Sequence, residues 1–304
     1  MSDTKPGIFL FAIMTLLIAA SAVADEYTFD YQKILDITAP AEVSLYVVKG
    51  NVTVKGGDQN KVVIEAIKTI AGSSREEAEE VAGHVEIKVR QEGSAINVET
   101  NYLKMVNRSG SFWSKIFGAG GSDSYGSVDF TITVPTRTSV SIMCLDGQVN
   151  LSSLEGQILV ENRSGSSRGE YLFGPVTLIQ ETGDIELNWV EGDIKIKSTS
   201  SMISIIQVRG AIDLTTSAGK VNIQTELDSP NDFYVETTSG SIVFSVPTSS
   251  SGMLDIATES GEIRTEVPIT VKSVSRKRLV GEFGSGGPTV SLSSVTGDVD
   301  VVLY

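Results

Sequence analysis

A single cysteine, Cys144, excludes an intramolecular disulfide, and a single histidine, His84, leaves little material for imidazole-based metal binding or catalysis. Positive charge is also short. Lys and Arg total 24 against 38 Asp and Glu, a formal net charge of −14. Such a chain repels polyanions, which argues against nucleic acid as a partner. Aromatic residues are only 7% of the 304, and no apolar run after Ala20 is long enough to span a bilayer. What is abundant is glycine, with 29 residues, in a chain that is 40% hydrophobic and 20% charged. That balance excludes wholesale disorder and fits many short strands joined by tight turns.

The N-terminus carries the clearest local signal. Lys5 precedes an apolar run from Ile8 to Ala20, and Ala22-Val23-Ala24 is followed by Asp25-Glu26. This predicts a signal peptide over residues 1–24 with Ala22 and Ala24 at the cleavage site, and so an exported chain in the periplasm or at the cell surface. An uncleaved anchor is the competing reading, since Asp3 offsets Lys5. No cysteine follows the site, so lipid attachment there is excluded.

From 25 to 138 the chain reads as an irregular β region. Val43-Ser44-Leu45-Tyr46-Val47 and Val85-Glu86-Ile87-Lys88-Val89 alternate as half-buried strands do. One helix is predicted over 74–84, where Ser74-Arg75-Glu76-Glu77 has capping-box spacing and Gly83 is a stop, leaving His84 as a capping or surface residue. Residues 105–127 form a Gly/Ser-rich insertion containing Phe112, Trp113, Ile116 and Phe117. Exposed aromatic clusters in long loops mark interfaces, so these four are the candidate partner-binding residues. The other reading is that they fold back to plug the end of the molecule.

From 139 to 304 an internal repeat sets the fold. Gly147, Gly156, Gly165, Gly174, Gly183, Gly192, Gly210 and Gly219 lie on a nine-residue grid whose single gap is Ser201, and each is read as a corner. A corner of positive φ at Ser201 would gain from glycine. After the glycine comes x-apolar-x-apolar, as in Gly192-Asp193-Ile194-Lys195-Ile196. Two residues before Gly156, Gly174, Gly192 and Gly210 stand Leu154, Leu172, Val190 and Val208, while Gly165, Gly183 and Gly219 are preceded by Arg163, Glu181 and Ser217. The unit is therefore eighteen residues with two unlike halves, the coil of a β-solenoid. The inward positions of 166–173 hold Ser167 and Gly169, which predicts a bulged or mispaired coil, read first as an ordinary irregularity and only secondarily as a place for a cleft. Toward the C-terminus the motif recurs at Gly240, Gly261 and Gly297, the first two twenty-one residues apart. The expected architecture is all-β: a solenoid of about 18–21 residues per coil with an irregular N-terminal β-cap carrying one short helix.

Three stretches resemble the adhesin-type β-strand-repeat family of bacteria, a domain of unknown function. They are Gly50-Asn51-Val52-Thr53-Val54-Lys55-Gly56-Gly57-Asp58 with Ser74-Arg75-Glu76-Glu77-Ala78; the Ser/Thr-Gly-x-Ile-x-Leu series; and Phe283-Gly284-Ser285-Gly286-Gly287-Pro288 with Ser293-Ser294-Val295-Thr296-Gly297-Asp298-Val299. The resemblance implies a right-handed β-solenoid in the envelope and carries over no catalytic residue. The 105–127 insertion is longer than the family's usual connection.

An enzyme on this scaffold would need acids and bases gathered on one face. The residues after the corner glycines are Gln148, Ser166, Asp184, Met202 and Lys220 on one edge and Gln157, Pro175, Asp193 and Ala211 on the other, so no acidic ladder forms. No nucleophile–base pair, phosphate loop or calcium-repeat aspartate pattern is present, and no cofactor or metal is expected. The function these features suggest is a non-enzymatic envelope or surface scaffold that binds an envelope protein or a glycan. A carbohydrate-binding or carbohydrate-cleaving solenoid and a regulatory partner of an envelope membrane complex are the alternatives.

Overall fold

The computed structural model describes residues 25–37, 40–103, 126–227 and 231–304. The predicted signal peptide with Ala22 and Ala24, and Phe112, Trp113, Ile116 and Phe117 of the insertion, lie outside the described residues. Among the described residues no helix is long and apolar enough to cross a membrane.

Among the described residues two long sheets, one of twelve strands and one of thirteen, lie on either side of one apolar core. Through the centre the chain alternates between them. Val149–Glu155, Ser167–Phe173, Ile185–Glu191 and Ile203–Arg209 belong to the twelve-stranded sheet, and Ile158–Ser164, Val176–Thr182 and Ile194–Ser200 to the other. Pairing is parallel with a step of eighteen: Ile158 faces Val176, Val176 faces Ile194, and Ile194 faces Ile212. Each coil thus contributes one strand per sheet and stacks about 4.8 Å above the last. Ile185, Leu187, Ile194, Ile196, Ile212, Leu214, Val221 and Ile223 are all buried. Ion pairs also step by eighteen on the outside, joining Arg137 to Glu155, Arg163 to Glu181, Arg168 to Glu186 and Lys195 to Asp213.

All the grid glycines have positive φ. Gly192 shows why. A Cβ there would overlap the carbonyl oxygen of Gly174 one coil below, so backbone stacks directly on backbone at the corner. Ser201 is different. It does not share the positive φ, its side chain is buried, and its hydroxyl lies 2.6 Å from that of Ser198. The expected benefit of glycine at that corner therefore does not hold.

At both ends the stacking order departs from the chain order. Ala41–Val47 and Val52–Gly57 form a coil that pairs in parallel with Thr138–Cys144 and Val149–Glu155, ninety-seven residues later. Ala95–Tyr102 and Ser127–Pro135 stack on the other side of it. The irregular N-terminal region thus contributes coils of its own, and both sheets run through the 138/139 boundary. Beyond them the antiparallel strands Asp25–Asp36, Lys61–Gly72 and Val85–Glu92 close that end. At the far end Thr289–Thr296 and Val299–Leu303 slot between the 233–246 coil and the 252–265 coil. Gly261 therefore sits over Gly297, and Gly297 over Gly240. The twenty-one-residue step from Gly240 to Gly261 is not a stacking step. The step from Val221 to Ile242, also twenty-one, is one.

The helix spans Arg75–Gly83, with Ser74 accepting from the Glu77 amide and His84 as C-cap. The Glu77 carboxylate reaches the Ser73 amide at 3.0 Å, one residue before the position a capping box would use. Ala78 and Val81 bury the helix against the closing strands.

Candidate binding face

Strict alternation would place every second side chain outside. Three strands of the twelve-stranded sheet break it in the same way. Ser153, Tyr171 and Trp189, eighteen residues apart, have φ of 57°, 54° and 58°. These are the non-glycine residues of positive φ among those described. One left-handed residue adds a bulge, so two successive side chains face outward before Leu154, Leu172 and Val190 turn in. Tyr171 and Trp189 end 50% and 55% exposed, opposite each other on neighbouring strands, with Phe173 exposed beside them. The next strand, Ile203–Arg209, has no left-handed residue and simply alternates. Gln207 is therefore buried where the repeat predicted Val208, which is only half-buried.

The coil at 166–173 is bulged, as expected, but not mispaired: it is in register with Val149–Glu155 and Ile185–Glu191 on either side. Inside, Leu172 and Leu187 occupy the space that a Gly169 side chain would fill. Outside, a groove of about 200 Å³ runs across four strands, lined by Leu151 and Gly169 and by the polar residues Thr53, Lys55, Asn150, Ser152, Arg168, Glu170, Glu186 and Asn188. Glu170 and Asn188 are the residues immediately before Tyr171 and Trp189. The two acids and two bases of the groove balance. Glu186 accepts from Arg168 at 3.3 Å and from Asn188 at 3.0 Å, which makes it an ion-pair partner and not a free acid. The sequence marks an irregularity in this coil through its small inward residues, with a cleft only as the secondary reading. It gives no sign of the aromatic pair, because nothing in Tyr or Trp announces a left-handed backbone.

The interior holds a second feature. Cys144, Asn162, Gln180, Ser198, Thr216, Thr237, Ser294 and Thr258 are aligned on successive strands at one end of the core. Asn162 donates to the Gly147 and Gly165 carbonyls, Gln180 to Gly183, Thr216 to Ala218, Ser294 to Gly240 and Thr258 to Gly297. Gln207 does the same at the opposite corner, donating to Gly192 and Ala211. Asn162, Gln180, Gln207, Thr216, Thr258 and Ser294 thus satisfy corner carbonyls that the sheets leave over, whereas Ser198 bonds Ser201 and the buried Thr237 hydroxyl has no partner among the described residues. They are structural. Burial pushes the Cys144 thiol up to about 11, so it stays protonated at neutral pH. Among the described residues no group of three or more His, Cys, Asp or Glu could hold a metal ion.

The family model described as Toastrack DUF4097 matches residues 41–302. No curated protein matches the chain. Among solved structures it is similar to a putative adhesin of Bacteroides fragilis, with 14% identity over 92% of this chain and 97% of that one and a TM-score of 0.33. A putative lipid binding protein of Parabacteroides distasonis gives 15% identity, 91% and 96% coverage and a TM-score of 0.33. A putative cell adhesion protein of Clostridium sporogenes gives 10%, 91% and 100%, with a TM-score of 0.26.

Proposed function

This chain belongs to the Toastrack family, and we propose that it is a non-enzymatic, adhesin-like binding scaffold, exported to the cell envelope or surface, whose contact face is the outer side of the twelve-stranded sheet. The observation that carries this reading is the pair Tyr171 and Trp189. Bulky side chains in the left-handed region cost of order 1–3 kcal/mol each, and such strain clusters at functional sites. Here it holds two large rings out in solvent beside a groove, on a rigid stack of coils. A scaffold with no binding role would gain stability from glycine or asparagine in either place. Export rests on the predicted cleavage after Ala24, which leaves Asp25 at the mature N-terminus.

The test uses the mature chain, identified by mass spectrometry in the envelope fraction, and measures its co-sedimentation with envelopes of the cells that produce it. Saturable binding that is lost in the Tyr171→Asn/Trp189→Asn double variant supports the reading. Asparagine tolerates left-handed backbone, so the variant keeps the fold. Absence of saturable binding by the native chain would sink the proposal.

A further inference from the structure

We infer that the groove and the aromatic pair bind a neutral glycan chain. This names the ligand class of the contact face just proposed and rests on that reading. The chemistry of the site selects among ligands. Lys55 and Arg168 balance Glu170 and Glu186, so the groove offers no net charge to attract a polyanion or a polycation. Its remaining polar lining, Thr53, Asn150, Ser152 and Asn188, mixes donors with acceptors. That suits a ligand whose hydroxyls both donate and accept. Tyr171 and Trp189 supply flat apolar surface at the groove's edge, which suits a ligand with one less polar face. A sugar ring has both properties.

Competing ligands fit less well. An extended peptide binds a sheet by adding to an open edge. The strands Val149–Glu155, Ser167–Phe173 and Ile185–Glu191 are paired on both sides, so no edge is open here. An acyl chain needs a cavity free of charge, and four charged residues, Lys55, Arg168, Glu170 and Glu186, line this groove. The coil repeat adds a further match. Ser153, Tyr171 and Trp189 project from consecutive strands at one position, so the site is a row across the coils and suits a chain of repeating units.

Envelopes treated with periodate, which cleaves vicinal diols, are compared with envelopes digested by protease and envelopes extracted with organic solvent. Binding should survive protease and solvent and be lost after periodate. In a Trp113→Phe background Trp189 is the single tryptophan, and its emission should shift on addition of polysaccharide released from the envelope. Trp189→Asn and Tyr171→Asn should each bind at least about tenfold more weakly, while Trp189→Tyr stays close to native. Binding that persists after periodate but disappears after protease overturns the glycan assignment and leaves the binding scaffold standing. Full binding by both Asn variants overturns the site. A native chain that binds none of the preparations refutes the parent reading instead.

Discussion

At the residue scale, backbone sign and side-chain identity are partly uncoupled in this protein. Ser153 and Ser201 are a matched pair for showing it. Ser153 has positive φ, is exposed, and stands in line with Tyr171 and Trp189. Ser201 stands where the repeat wants glycine, lacks positive φ, and turns its hydroxyl inward to Ser198. Ser153→Gly should therefore stabilise the fold by up to about 1 kcal/mol, because glycine relieves the left-handed penalty. Ser201→Gly should cost about 0.5–1.5 kcal/mol, through the lost hydrogen bond and added chain entropy. Chemical denaturation of the two variants checks this; equal shifts of the same sign would count against the assigned geometry. The sequence could not separate these serines, since the nine-residue grid marks where a corner falls and not which φ it takes.

At the element scale, the central strands of the thirteen-stranded sheet have an inward face with two kinds of position: aliphatic in the middle and polar at the corner. Ile194 is 1% exposed, whereas its neighbour Lys195 is outside and pairs with Asp213 at 2.7 Å. Ile194→Asp buries an unpaired carboxylate and should cost several kcal/mol. Lys195→Asp merely sets two acids opposite each other on an exposed surface and should cost less than about 1 kcal/mol. Thermal melts of the pair test the register. The polar positions give a less intuitive result. Gln180 donates to Gly183 at 2.7 Å and accepts from Ser167 at 2.6 Å. Gln180→Leu makes the core more apolar, yet it should destabilise by about 1–3 kcal/mol, because a carbonyl and a hydroxyl lose their partners. A gain in stability would show that these corner bonds are dispensable. The aliphatic positions were legible as the alternation after each glycine. The polar ones were not, because alternation puts Asn162, Gln180 and Thr216 on the inward side but names no partner for them until the corner carbonyls they serve are in place.

At the scale of the whole molecule, the periodic centre was legible and the ends were not. A repeat announces stacking only where consecutive coils are consecutive in the chain. The coil at 41–57 meets its partner ninety-seven residues later, and no local pattern encodes that. The same holds for 289–303, which lies inside the stack although it comes after the coil it supports. Deleting residues 288–304 should therefore do more than shorten the solenoid. It removes the layer between 233–246 and 252–265, so hydrogen-exchange protection across 252–283 should collapse while 149–224 stays protected. Retained protection at 252–265 would mean that the coils stack in chain order.

That ordered stack is what lets strained side chains be held in a fixed row, and the proposed contact face depends on it. Hydroxyl-radical footprinting of the mature chain, free and bound to envelopes, reads this face directly. Tyr171 and Trp189, half-exposed in the free chain, should oxidise readily and become protected on binding, with Tyr234 on the opposite sheet unchanged. Unaltered oxidation of Tyr171 and Trp189 in the bound state, with protection falling instead on Phe112, Trp113 and Phe117, would contradict the account and return the contact to the 105–127 insertion.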